Sequence, residues 1–160
     1  FNDDCIICYS DILFDKKVIK KLISSKTKIL LPSYNGWKKN WEGRYKNPLE
    51  DLETFKTNEN NELTQIGERP RSFEQINGQF MGIIKFKKGI LRQVYKFYKQ
   101  LSLNTRKNIQ MTKFLNLFIK SKKVKIKVFK TTSYWYEIDN QRDYSFAIKD
   151  IRKRKINLQI

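Results

Sequence analysis

The chain has 160 residues with 39% hydrophobic and 14% aromatic content, enough for one folded domain and too much for a disordered segment. Lys and Arg total 34 against 16 Asp and Glu, a formal charge of +18, and no apolar run approaches the roughly 18 residues of a membrane span. No signal or transit peptide opens the sequence, which begins at Phe1 and runs at once into strand-like residues, so a piece of a longer protein and a cytoplasmic location are expected.

In chain order, residues 4–10 read as a buried strand ending at Ser10-Asp11. Asp15 opens a helix through about Ile23, with Val18, Ile19, Leu22 and Ile23 at helical spacing. Lys28–Leu31 is a short strand stopped by Pro32, and 33–50 is an aromatic loop with Tyr34, Trp37, Trp41 and Tyr45. Residues 52–57 and 62–66 are strands joined by Asn58-Glu59-Asn60-Asn61, and Ile66-Gly67-Glu68-Arg69-Pro70 is a turn. A strand over 79–86 precedes a helix from about Lys88 to Leu101. A second helix covers about 112–120 with Thr112 as N-cap. Strands at 124–129 and 134–138 precede a last helix from about Gln141, which enters a basic run, Arg152-Lys153-Arg154-Lys155. The pattern predicts an α/β class with a mixed sheet, mostly parallel and flanked by helices. One domain over residues 1–150 and a basic tail over 151–160 are expected.

The charge is uneven. Residues 1–80 carry 13 basic and 12 acidic residues, and residues 81–160 carry 21 and 4. A basic half attracts phosphate-bearing ligands without choosing among nucleotides, nucleic acids and lipids. The composition offers a second origin: 26 Lys, 19 Ile and 13 Asn against one Ala is what AT-rich codons produce.

Cys5 and Cys8 form a C-x-x-C within an apolar run. On a strand, positions i and i+3 face opposite ways, and no His or second Cys pair completes a zinc set. Two buried structural thiols are expected, in keeping with a reducing compartment.

Two acidic positions stand at strand ends, Asp11 in Tyr9-Ser10-Asp11 and Asp139 in Trp135-Tyr136-Glu137-Ile138-Asp139. Ligands of open α/β sheets bind at the carboxyl ends of strands. Two carboxylates there could share one Mg²⁺, which takes few protein ligands and fills its shell with water and phosphate oxygens. The plainer readings are a loop or cap residue before the helix for Asp11 and the N-cap of the last helix for Asp139.

The ordered runs Ile6-Ile7-Cys8-Tyr9-Ser10-Asp11-Ile12, Ile66-Gly67-Glu68-Arg69-Pro70, Gly78-Gln79-Phe80-Met81-Gly82, Met111-Thr112 and Trp135-Tyr136-Glu137-Ile138-Asp139 resemble the later part of a sugar-phosphate-type nucleotidyltransferase. The branch they look like is that of phosphocholine cytidylyltransferases and phosphonate-associated nucleotidyltransferases. The resemblance implies a Rossmann-like fold that lacks its N-terminal nucleotide-binding part. It implies an Mg-dependent enzyme, as part of a longer chain, that transfers NMP from an NTP to a phosphorylated or phosphonate small molecule and releases pyrophosphate. Asp11 and Asp139 then correspond to the catalytic, metal-holding aspartates. Glu68 and Arg69 correspond to the acceptor-binding turn, Glu137 supports the metal shell or an acceptor amine, and Trp135 stands in the same segment. The family's Gly-rich phosphate loop precedes the Asp11 strand and is missing here, so turnover is not expected from this polypeptide by itself.

Trp37 and Trp41, spaced i, i+4, could wall a cationic head group with Trp135, or cover the core or a homodimer interface. The partners expected are a nucleoside triphosphate and the small-molecule acceptor, not a membrane. The competing readings are a basic phosphate- or nucleic-acid-binding module, for which no recognisable signature is present, and a non-catalytic remnant of the fold.

Overall fold

The computed structural model describes residues 2–38, 48–50, 52–154 and 156. Trp41 and Tyr45 lie outside them. The sheet is built from β1 (Cys5–Cys8), β3 (Ile29–Tyr34), β6 (Gln79–Phe80), β7 (Ile83–Phe86) and β8 (Lys127–Thr131). β1 pairs antiparallel with β7, and β3 pairs antiparallel with β6 and β7 and parallel with β8. So β1, β3 and β8 run one way and the β6–β7 row runs against them. The sheet is mixed as expected, but its ladders are antiparallel apart from β3–β8. β1 is the edge of this order. That explains why the strand is half-buried rather than buried, with Cys5 partly exposed and Cys8 exposed. The two thiols are not core residues.

Pro32 does not stop β3. Leu30 pairs with Lys85 and Ser33 with Phe80, so two residues of β3 face four of the opposite row, which breaks at Met81-Gly82. Proline, with no N–H to give, is tolerated where the partner bulges away. The strand therefore continues to Tyr34, paired on its other side with β8.

Alternation on the strands sorts the core. Ile29 and Leu31 of β3 and Ile84 and Phe86 of β7 join Phe114, Leu115 and Phe118 on one face. Leu30 and Ile83 join Val18 and Leu22 on the other. The first face is covered by α2 (Ile90–Gln100) and α4 (Met111–Lys120), the second by α1 (Lys16–Ser24). α1 starts where its sequence says it should, because the Asp15 carboxylate accepts from Lys17 N at 2.8 Å. A short helix, α3 (Leu103–Asn108), capped by Ser102, lies between α2 and α4, where the sequence reading names no element. Lys85 falls on the α1 face yet is 1% exposed. Its ammonium donates to the Ile23 and Ser25 carbonyls at 3.3 and 2.8 Å and pairs with Asp4 at 2.9 Å. A cation at a helix C-terminus is favourable, and here it stands in for a core methyl group while tying α1 to the sheet.

Two smaller ladders stand outside the sheet: β2 (Ile12–Phe14) with β9 (Trp135–Glu137), and β4 (Phe55–Thr57) with β5 (Leu63–Ile66). The last helix, α5 (Gln141–Lys153), packs Ala147 and Ile151 against Tyr136. It carries the start of the basic run, through Lys153, on a helix whose Ile151 is buried. No helix among the described residues is long and apolar enough to cross a membrane.

Candidate active site

Tyr9 follows β1 and donates its backbone N–H to the Gly82 carbonyl at 2.9 Å. Gly82 has φ +71°, and a Cβ there would stand 2.9 Å from the Tyr9 ring. Glycine therefore permits the ring to lie down over the β6–β7 break, edge-on to Phe80 at 5.9 Å. Beyond Tyr9 the chain bends through Ser10 and Asp11 into β2. The β2–β9 register pairs Ile12 with Glu137, and Ile138 N donates to the Asp11 carbonyl at 2.8 Å. One ladder thus sets Asp11 beside the Glu137–Asp139 segment. Asn140, not Asp139, caps α5, accepting from Arg142 N and Asp143 N. The backbone N–H of Asp139 donates to the Asp143 carboxylate at 3.2 Å, which fixes the turn that presents Asp139. Trp135 is 2% exposed and its indole N–H donates to the Met81 carbonyl at 3.1 Å.

These residues wall a cavity of about 300 Å³, lined by Tyr9, Trp135, Glu137 and Asp139 on one side and by Glu53, Gln79 and Thr112 on the other. Glu53 was not singled out from the sequence. It precedes β4, whose hairpin is closed at this end by Thr54 N donating to the Glu68 carbonyl at 2.7 Å. Gly67, at φ +77°, lets the hairpin touch α4: a Cβ would come within 2.8 Å of Thr112. That contact brings the Thr112 hydroxyl to Glu53 Oε1 at 3.1 Å. Thr112 therefore is no N-cap. Gln110 holds that position, α4 begins at Met111, and the Thr112 hydroxyl is spent on Glu53.

Burial pushes the Glu53 carboxyl above its ordinary range, against the opposing pull of the Thr112 hydroxyl and Lys113. Tyr9 is raised too, first by burial and then by the negative charges of Glu53, Glu137 and Asp11. One phenol thus senses carboxylates from three separate segments.

Glu68 and Arg69 line a different recess. It is a groove of about 680 Å³ shared with Lys113, Asn116 and Lys120, and Gly67 on its wall stands against Thr112 of the cavity. Lys120, Asn116 and Gln65 all donate to the Glu68 carboxylate, at 3.0, 2.8 and 2.7 Å, and hold it below the usual carboxylate range. Trp37 is 3% exposed, packed on Phe73 at 6.0 Å within the α1-side core, rather than in the cavity wall. Trp41, its expected companion, lies outside the described residues.

No group of three or more His, Cys, Asp or Glu able to hold a metal is found among the described residues. A chain without His, offering Asp11 and Asp139 as hard oxygen donors, suits Mg²⁺, which needs only one or two carboxylates.

No family model matches the chain. It is 33% identical over 154 residues to the CTP:phosphoglutamine cytidylyltransferase of Campylobacter jejuni, a match covering 92% of this chain and 60% of that protein. Its fold matches a crystal structure of a Bacillus anthracis chain assigned as glucose-1-phosphate thymidylyltransferase, in complex with sucrose. That match has a TM-score of 0.65 at 15% identity and covers 99% of this chain and 58% of that one. The chain is thus similar in sequence to a cytidylyltransferase and in fold to a chain assigned as a thymidylyltransferase. It spans about three fifths of the length of that cytidylyltransferase.

Proposed function

We propose that this chain forms the metal- and acceptor-binding part of a nucleotidyltransferase of the cytidylyltransferase kind. The reaction passes NMP from an NTP, most simply CTP, to a phosphorylated or phosphonate small molecule. The observation that carries the reading is the strand-end cavity, in which Glu137 and Asp139 face Tyr9 and Glu53 while the β2–β9 ladder holds Asp11 alongside. An acceptor phosphate or phosphonate oxygen attacks the α-phosphorus. The bond to the bridging oxygen breaks, and pyrophosphate leaves with that electron pair. No covalent enzyme intermediate is required.

Such a transfer is chiefly a matter of position and charge. Asp11 and Asp139 would hold Mg²⁺, which supplies neutralisation of the charge developing on the phosphate oxygens. Glu137, adjacent on β9, would add to the negative field around such an ion. Trp135, fixed by its bond to Met81, gives the acceptor a rigid wall. Arg69, with Lys113 in the neighbouring groove, offers cations to phosphate oxygens that extend past the Gly67–Thr112 contact.

The test is pyrophosphate release by the full gene product with Mg²⁺, each NTP, and a panel of phosphocholine, aminoethylphosphonate, sugar phosphates and phosphoglutamine. Release with one NTP–acceptor pair, lost in Asp139→Ala and Asp11→Ala, is the expected result. A folded full-length protein that releases none with any pair overturns the reading in favour of a non-catalytic remnant or phosphate-binding module.

A further inference from the structure

Tyr9 is fixed at the end of β1 by three contacts. Its ring lies on Gly82, where a Cβ would stand 2.9 Å from Cδ2 and 3.0 Å from Cγ. It meets Phe80 edge-on at 5.9 Å, and its backbone N–H is held by the Gly82 carbonyl. A phenylalanine would make all three contacts equally well. What tyrosine adds is a hydroxyl on a residue that walls the cavity.

That hydroxyl is not used by the fold. Three other side-chain donors on the same wall are committed: Thr112 to Glu53 Oε1, Trp135 to the Met81 carbonyl and Gln79 to the Glu53 carbonyl. The Tyr9 hydroxyl makes no hydrogen bond with any described residue. Nor is it sealed inside the protein. A sealed hydroxyl without a partner would be a buried orphan, and among the described side chains the buried orphan is Nε of Arg106. Burial, with the charges of Glu53, Glu137 and Asp11, keeps the phenol protonated through neutral pH. The cavity is therefore offered a neutral donor on a ring that is already held in place, which lowers the ordering cost of using it.

Tyr9 leaves the chain two residues before Asp11 and shares the cavity wall with Asp139. Resting on the reading of this cavity as the acceptor site, we propose that the Tyr9 O–H binds the acceptor directly, donating to an oxygen of its phosphoryl or phosphonyl group other than the attacking one. Such a group carries three terminal oxygens and turns about the bond that joins it to the rest of the molecule. A hydrogen bond to one of them fixes which of the others faces the α-phosphorus. A bond from a hydroxyl to an ionised oxygen is also among the stronger kinds.

The experiment titrates the full gene product with methyl phosphate by calorimetry, in Mg²⁺ and without nucleotide. Tyr9→Phe keeps the ring on Gly82 and Phe80, and it is expected to bind the probe about tenfold more weakly at unchanged Tm. Gly82→Ala pushes the ring aside with its hydroxyl intact; it should weaken binding too and serves if Tyr9→Phe fails to fold. Tyr98→Phe removes a hydroxyl that already donates to the Arg106 carbonyl at 3.1 Å, and should leave the affinity unchanged. With an acceptor that is turned over, Tyr9→Phe should lower kcat/KM for the acceptor about tenfold and leave KM for the NTP as it is. Equal affinity of wild type and Tyr9→Phe, no binding of methyl phosphate to either, or a matching rise in the KM of the NTP overturns the inference. Pyrophosphate release is scored apart from binding. Weakened binding in Tyr9→Phe with no release from any NTP fails the transferase reading and spares the phenol–phosphoryl contact. Release with unweakened binding fails the contact and spares the transferase.

Discussion

Glu53 and Glu68 sit on the two sides of one contact, where Gly67 of the β4–β5 hairpin meets Thr112 of α4, and the protein treats them oppositely. Glu68 is solvent-exposed and tied to Lys120, Asn116 and Gln65, so its carboxyl is held low and its charge is settled within the fold. Glu53 is half-buried, with one hydroxyl on one oxygen and a carboxyl pushed up. A carboxylate satisfied by its own protein contributes to stability. One left short of partners costs stability and is retained for what it binds. The carboxylate left short of partners therefore lies on the cavity side of the contact, the side proposed above to receive the acceptor. The turn that sequence resemblance pointed to falls on the other side.

The comparison can be tested from the largest effect downward. On the proposed reading, Asp139→Ala in the full gene product should reduce pyrophosphate release at least about a hundredfold with the fold retained by circular dichroism, because charge neutralisation at the transferred phosphoryl group is then the main catalytic resource. Gly67→Ala attacks the contact itself. A Cβ at φ +77° is strained and meets Thr112, so a loss of about 2 kcal/mol is expected in denaturant unfolding, with both recesses disturbed.

Glu53→Gln should stabilise the chain at neutral pH. The folded carboxyl titrates above its ordinary 4.5, so its ionised form carries a penalty at pH 7 that vanishes once pH falls below that value. The gain should stay under about 1 kcal/mol, since water still screens the group, and should read as roughly 2 °C in Tm at pH 7 and nothing at pH 4. Glu68→Gln should do the reverse on a smaller scale. Its folded carboxyl titrates below 4.5, so it contributes above that pH and loses its contribution as pH falls through its folded value. A small drop in Tm at pH 7, fading on acidification, is expected; equal pH profiles for the two variants would erase the distinction.

What the sequence made legible was what local chemistry decides. Asp15 caps α1, the Val18/Leu22 stripe is its buried face, and the strand-end acids Asp11 and Asp139 were visible as the ends of apolar runs. What it hid depends on partners far along the chain. Pro32 looks like a stop until the bulge at Met81-Gly82, some fifty residues later, removes the hydrogen bond it cannot make. Thr112 reads as a cap until Glu53, 59 residues away, takes its hydroxyl. Trp37 and Trp135 look alike as aromatics, but only the second lines the cavity. Glu53 itself left one faint signal, an acid inside the run Leu52-Glu53-Thr54-Phe55 whose other members are buried.

The acidic cavity inside a basic shell divides the kinetics of binding from its selectivity. At distances beyond the pocket, a phosphate-bearing acceptor meets the summed field of +18 and is drawn in, and that attraction fades as salt shortens the Debye length below about 10 Å. At contact, on the proposed reading, the described carboxylates Glu53, Glu137 and Asp139 would repel the phosphate end unless a cation intervenes. Raising the ionic strength should therefore slow arrival for all acceptors together and leave the ranking among them almost untouched.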